Sequence, residues 1–455
     1  MASPPSPASP GSYRAEFRQL RAALLQMKEE QTALLDCLVQ SKVLRPCAFA
    51  ASLHRRRFAA ALKASPCSFD ANLLDVLEEP AHIALQTARY GGTQMMHALK
   101  ASCRSMAGKL AERRPAIQEA LTWLYVCGGS DHQQVRSSVE RLDPSSGQWE
   151  ALPPMLQRRF GNTSAVLDGC LYVCGGSEDH VALNSAERFN PALGFWQPLA
   201  PMILPRIHSS ALAMHGRLVL CGGHNPAGSG IESIRACECY DPRLEAWLPL
   251  PPMPYCRMAA CLALLREVLH VSGGFNGREA LSSTERLVVE SGGWQALPPM
   301  TEGRFWAASC VLDDCLLVCS GNNGQEVLLS TERFDPVACV WETLQPMQRL
   351  RTGAAAQVVA GRLFLCGGHD QNGVQDSVEY FDPEMGAWKA AAPMLQRRSG
   401  ATATLLGNCL VLLGGNDGTQ VLDTAEAYDP EADVWRPLQP MTKRRAGAYA
   451  AALIV

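Results

Sequence analysis

Tryptophan recurs at positions 149, 196, 247, 294, 341, 388 and 435, at intervals of 47 residues except for one of 51. A fixed period of this length means one structural unit laid down repeatedly, and it restricts the fold more than any composition does. Six residues after each Trp comes a Met preceded by Pro: Met155, Met202, Met253, Met300, Met347, Met394 and Met441. Four residues further on stands an Arg: Arg159, Arg206, Arg257, Arg304, Arg351, Arg398 and Arg445. A diglycine precedes each Trp, reading Ser320-Gly321 in the fifth unit. Downstream of it lies a Glu: Glu140, Glu187, Glu238, Glu285, Glu332, Glu379 and Glu426.

Within the second unit, SAVL (164–167), CLYVCGG (170–176), AERFNP (186–191) and FWQPLAPM (195–202) read as four short strands separated by Gly and Pro. Such a sheet is apolar on both faces and cannot stand alone. Packing the sheets radially buries both faces, which is the solution of a β-propeller. The first unit begins at its second strand (LTWLYVCGG), and RRAGAYAAALIV (444–455) supplies an extra first strand. This predicts that the C-terminal strand completes the first blade. The diglycine, the Glu, the Asp-Pro turn (Asp143-Pro144, Asp335-Pro336, Asp382-Pro383), the Trp and the Pro-Met resemble the kelch repeat. The fourth unit departs from it, with LVVESGG (287–293) in place of the Asp-Pro turn. The expected fold class is all-β, a seven-bladed kelch β-propeller over residues 117–455, preceded by a short α-helical N-terminal region.

Residues 1–12 are rich in Pro and Ser and read as disordered. Over 13–42, Phe17, Leu20, Leu24, Met27, Gln31, Leu34 and Leu38 alternate three- and four-residue steps. That is a heptad seam, either a short dimerising coiled coil (residues 13–40) or one amphipathic helix packed on its own chain. Residues 43–116 read as helical. Leu99 through Met106 (LKASCRSM) is similar to the closing helix of an F-box, and Leu73, Leu74, Val76 and Leu77 would match its opening helix. The usual Leu-Pro opening is absent. A helical cap for the propeller is the alternative. Residues 1–115 carry 16 Lys+Arg against 9 Asp+Glu, whereas the chain as a whole has a net charge of −3. An acidic propeller behind a basic head argues against nucleic acid as the propeller's partner. No apolar run is long enough to span a membrane. Eighteen cysteines without a leader sequence lead to the expectation of free thiols and a cytoplasmic location. Arg55-Arg56-Arg57 is a candidate nuclear address.

Seven repeats allow an internal comparison. Positions alike in every unit serve what all units share, namely packing. The seven Arg and seven Glu are therefore expected to form repeated buried charge pairs. Cysteines ahead of the diglycine in five units (Cys127, Cys174, Cys221, Cys319, Cys366) are expected to be core thiols. Positions that differ are free to bind. After the diglycines these are His132, Asp179, His180, His224, Asn225, Arg278, Asn322, Asn323, His369, Asp370, Asn416 and Asp417. Immediately before the common Arg they include Arg158, Arg397 and Arg444. In kelch folds the two loop sets converge on one face, so the resemblance implies a partner-binding surface there, with guanidinium groups suited to carboxylate-bearing peptides.

No metal, cofactor or catalytic site is expected. Cys237 and Cys239 have no further ligand at zinc spacing, and the residues of a galactose-oxidase-like copper site are not assembled. The resemblance implies a protein-interaction module that is the substrate-recognition subunit of a cullin-type ubiquitin ligase. Residues 60–115 would then hold a Skp-type adaptor. The alternatives are a cytoskeletal or signalling scaffold dimerised through its N-terminal helix, and a propeller enzyme acting on a small molecule in the channel.

Overall fold

The computed structural model describes residues 122–454 except 132, 145, 227–231 and 289–291. The expected helices and F-box-like segment lie outside the described residues. The described chain forms seven antiparallel sheets of four strands, each a blade of the ring. Blade 2 is representative. Its strands Thr163–Leu167, Cys170–Cys174, Ala186–Asn190 and Phe195–Pro198 lie side by side in chain order. Leu171 stands opposite Phe189, and Phe189 opposite Trp196.

Alternation along the second strand shows why no blade folds alone. Leu171 and Val173 pack with Tyr125, Cys127 and Met155 of blade 1. Tyr172 and Cys174, pointing the other way, pack with Leu218, Leu220 and Tyr240 of blade 3. All four are buried. The domain thus has seven interblade cores rather than one centre. Each depends on two neighbours, as expected of a cyclic repeat. Five cysteines of the second strands (Cys127, Cys174, Cys221, Cys319, Cys366) are buried in these joints, and their thiols are pushed up, by burial at Cys127 and Cys174 (to about 12), Cys319 and Cys366, and at Cys221 first by a hydrogen bond with Cys237 and then by burial.

The diglycine sits where two backbones collide. Both glycines of blade 2 are left-handed (φ 62° and 87°), and a Cβ on Gly175 would lie 2.4 Å from the Arg206 carbonyl oxygen. Blade 5 solves the same crowding differently. Ser320 takes φ 61°, and its hydroxyl donates to the Arg351 carbonyl at 2.6 Å, so the close approach becomes a hydrogen bond.

The common Arg and Glu form the expected buried pairs, always from the connector leaving one blade to the body of the next. Arg159 Nε meets Glu187 Oε1 at 2.9 Å, both side chains 1% exposed. Arg159 Nη1 also donates to the carbonyls of Gly175 and Ser185. Glu187 Oε2 accepts the N–H of Leu156 at 2.7 Å. The arrangement recurs at 206–238, 257–285, 304–332, 351–379 and 398–426. The seventh, Arg445 to Glu140 at 2.6 Å, joins the two ends of the described chain. The fourth-strand Trp adds a second tie to the preceding blade. Trp196 Nε1 donates to the Pro153 carbonyl and Trp149 Nε1 to that of Gln439. Trp388 departs, donating to Thr331 Oγ1.

One joint is incomplete. At 254 the connector carries Pro, which has no N–H to offer Glu285. Glu285 Oε2 is buried without a partner, and burial raises its carboxyl above the ordinary 4.5 despite Arg257 at 2.5 Å. Ser272 Oγ and Thr284 Oγ1, on paired strands beside it, are also buried and unpartnered.

In blade 1 the innermost strand is Tyr449–Ile454, paired with Thr122–Cys127 from Thr122 opposite Ile454 to Cys127 opposite Tyr449. Val139–Asp143 and Gln148–Leu152 complete that sheet. Blade 1 thereby leaves no second-strand edge open to other chains.

Three outcomes follow from this construction. Deleting residues 446–455 removes the innermost strand Tyr449–Ile454 and the Ala446–Ser130 bridge that follows Arg445, and opens blade 1. Loss of a single cooperative unfolding transition is expected by calorimetry, with aggregation on size exclusion. Arg159→Ala strands Glu187 as a buried unpaired charge and is expected to cost roughly 3–5 kcal/mol in urea denaturation. Arg158→Ala, one residue away and exposed, should stay within about 0.5 kcal/mol of wild type. Pro254→Ala supplies the missing donor. It should gain about 1 kcal/mol at neutral pH, a hydrogen bond to a charge less the chain entropy that proline saves. Because Glu285 titrates high when folded, its contribution is complete below 4.5 and lost as pH rises through the folded value. The gain from Pro254→Ala should therefore be larger at pH 7 than at pH 4, and equal gains at both would contradict the assignment.

Candidate functional site

The residue after each common Arg makes an antiparallel bridge to the residue after a diglycine. Phe160 pairs with Ser177, Ile207 with His224, Met258 with Phe275, and Phe305 with Asn322. Thr352 pairs with His369, Ser399 with Asn416, and Ala446 with Ser130. These seven bridges bring the interblade connectors and the post-diglycine loops onto one face, so nearly all variable positions share a surface.

The predicted residues divide into two kinds. Arg158, Arg397 and Arg444 are exposed on three successive connectors, each beside a buried common Arg. Arg444 reaches Asp423 at 3.9 Å, a loose pair of little energetic weight. Asp179 and His180 are exposed at a hairpin tip, both at positive φ, as a two-residue turn of this hand requires. Arg278 and His369 are exposed as well, and His369 Nδ1 lies 3.2 Å from Ser399 Oγ. His132 lies outside the described residues.

The remaining side chains fold back on their own loops. Asn323 Oδ1 accepts the N–H of Gln325 and Glu326, and Asn322 Oδ1 that of Gly324. Asp370 Oδ1 accepts the N–H of Asn372, and Asn416 Oδ1 that of Gly418. Asp417 accepts the Thr419 hydroxyl and the N–H of Gln420, which hold its carboxyl down at about 2. These residues shape the turns, as short Asx side chains do. Asn225 sits in the hairpin that pairs His224–Asn225 with Glu232–Ser233.

His224 is half-buried, and its ring centroid lies 5.4 Å from that of His208. Neither Nδ1 has a partner. Burial lowers both pKa values below the ordinary 6.5, and the charge of His224 would depress His208 further. Both rings are therefore neutral at physiological pH. Among the described residues no three His, Cys, Asp or Glu side chains gather as metal ligands.

His208 was missed by comparing only the positions before the common Arg. Two residues after that Arg the repeats read Gly161, His208, Ala259, Trp306, Gly353, Gly400 and Gly447. All seven have φ between 50° and 66°. Their backbones link round the ring: His208 N–H donates to the Gly161 carbonyl, Ala259 to His208, Trp306 to Ala259, Gly400 to Gly353, and Gly447 to Gly400. Four glycines meet that conformation without strain, whereas Ala259, His208 and Trp306 are the three departures, the last two with bulky rings. Scanning this column in the sequence would have singled out both.

A cavity of about 350 Å³ is lined by Val166, Gln357, Ala403, Thr404, Leu405 and residues 449–452, all on first strands. Its one titratable group is Tyr449, which burial pushes up to about 12.

The Kelch motif is matched at residues 124–156, 158–203, 205–254, 350–395 and 397–442. Kelch-like protein 33 of Homo sapiens is 35% identical over 168 residues, covering 36% of this chain and 22% of that protein. The aligned part thus spans about a fifth of the relative's length. The solved structure of YjhT superimposes with a TM-score of 0.52 and 14% identity, covering 63% of this chain and 99% of that one, a likeness of fold alone. Repeat, ring and motif agree, and the chain belongs to the kelch-repeat β-propellers.

Proposed function

We propose that this chain works by binding, as the substrate-recognition subunit of a cullin-type ubiquitin ligase, with the target held on the loop face. The kelch propeller is a protein-interaction module. The observation that carries the reading is the division of labour between neighbours in one connector. Arg159, Arg398 and Arg445 are buried in the joints, while Arg158, Arg397 and Arg444 stand exposed beside them with no structural task of equal weight. Three exposed guanidinium groups on successive connectors suit a carboxylate-bearing segment of the target. Residues 60–115 are assigned to a Skp-type adaptor on their likeness to an F-box, and the Kelch-like relative favours the same class of assembly. A cytoplasmic location is part of the same reading and rests on the cysteine-rich sequence.

The heptad positions of residues 13–40 favour a second reading, a cytoskeletal or signalling scaffold dimerised by that helix. Affinity purification with mass spectrometry separates the two. The baits are the full chain, a chain lacking residues 1–115, and a full chain carrying Arg158→Glu, Arg397→Glu and Arg444→Glu. Cullin and adaptor subunits are expected with both full-length baits only, and the target with the first two only. Recovery of a target without cullin from any bait would leave the scaffold reading. A target undiminished by the triple substitution would remove the arginines from the binding site.

A further inference from the structure

We infer that the connectors between blades 1 and 5 form an aromatic, acid-rimmed docking site centred on Trp306, and that its occupant is an arginine- or lysine-bearing extended segment of a partner protein. The inference rests on the reading of the loop face as the binding face and assigns a second chemistry to it.

The first observation is a residue held where the fold prefers glycine. Trp306 sits at φ 50° in the column where four of seven repeats have Gly, and its side chain is 53% exposed. A bulky residue in the left-handed region is strained, and an exposed indole gains little burial in return. Strain kept without packing gain marks a group retained for something outside the fold.

The second observation is what surrounds it. His208, strained at the same column position, meets Trp306 edge-on at 6.1 Å. The connector between them in ring order carries Ala259, whose small side chain lets the two rings touch across it. Phe160, 41% exposed, packs edge-on against His208 at 6.2 Å. Phe305 stands 5.1 Å from Trp306 on its other side. The rings form one arc around the mouth of the ring, with exposed Tyr255, Ile203 and Leu204 on the intervening connectors.

The third is charge. The loops of this half carry Glu178, Asp179, Glu232, Glu279, Glu302 and Glu326 against Arg158, Arg235 and Arg278. The opposite half balances five bases with five acids. Exposed aromatic faces beside carboxylates attract a cation twice over, through the ring quadrupole and through ion pairing, and the planar guanidinium suits both. An acidic ligand would meet the excess of carboxylates, so the arc and the opposite half, which carries Arg397 and Arg444, recognise opposite charges.

The test uses Trp306→Gly in the full chain, which removes the indole and installs the residue the other repeats use. A phage-displayed library of random 12-residue peptides is panned on wild type, on Trp306→Gly and on the Arg158/Arg397/Arg444→Glu variant. Recovered peptides are measured by fluorescence polarisation. Arg- or Lys-bearing peptides with apolar neighbours are expected from wild type, at least tenfold weaker on Trp306→Gly, partly restored on Trp306→Phe, and no weaker on the arginine variant, in which Arg158→Glu adds a carboxylate to this half. Trp306→Gly is also expected to melt no lower than wild type. A lower melting temperature would make Trp306 structural and overturn the inference. So would recovery of no peptide, or of cationic peptides indifferent to Trp306. Acidic peptides lost only on the arginine variant would sink this inference and leave the loop-face reading standing.

Discussion

Everything on the loop face hangs from the buried Arg–Glu pair. A connector between blades belongs to no four-stranded sheet and has only a single bridge to the next blade's loop, yet its backbone must be fixed for a binding surface to exist. Arg159 anchors it by reaching into blade 2 for a carboxylate and two carbonyls. The same carboxylate holds the connector's own N–H at Leu156. One ion pair therefore locks both ends of a four-residue turn to the neighbouring sheet. Burial makes the pair costly to assemble and costlier to break. Its value is geometric: it fixes the direction in which the next blade leaves, and it does so seven times.

The repeat made the fold plain in the amino-acid sequence. Seven Trp in register define seven sheets, and the matched Arg and Glu point to the pairs found in the joints. Other features were illegible for specific reasons. Asn323 and Asp417 looked like free recognition groups because their residue type suits hydrogen bonding to a ligand as well as it suits closing a turn. Only the loop geometry distinguishes the two. Glu285 looked like its six counterparts, and the reason it differs lies in Pro254, thirty-one residues earlier, where the change removes an N–H rather than a side chain. His208 and Trp306 were visible as departures in an otherwise glycine-rich column, but the column's meaning needs the left-handed backbone that the structure supplies.

The joints also explain why the cysteines are numerous and quiet. A second strand is squeezed between two sheets, and positions ahead of the diglycine take a small apolar side chain. Cys meets that need at Cys127, Cys174, Cys221, Cys319 and Cys366, and each thiol stays protonated, through burial at four of them and at Cys221 through a hydrogen bond with Cys237 and then burial. Ser272 at the same place in blade 4 has a hydroxyl with no partner, beside the unpartnered Thr284 and Glu285. The polar exceptions gather in one joint, and the regularity of the others is the background that makes them noticeable.

The pairing of Thr122 with Ile454 carries a consequence for synthesis. The strand that completes blade 1 is translated more than three hundred residues after its neighbour, so the nascent chain emerges with that sheet one strand short. Blades 2 to 7 are each contiguous in the chain and can form in order as they leave the ribosome, but none gains its closed-ring context until residues 449–454 have been made. During that interval the backbone of residues 122–127 has an open side that other strands can pair with. Termination just before residue 449 would therefore leave a chain with six whole blades in an adhesive state, a burden for the chaperones that guard growing chains.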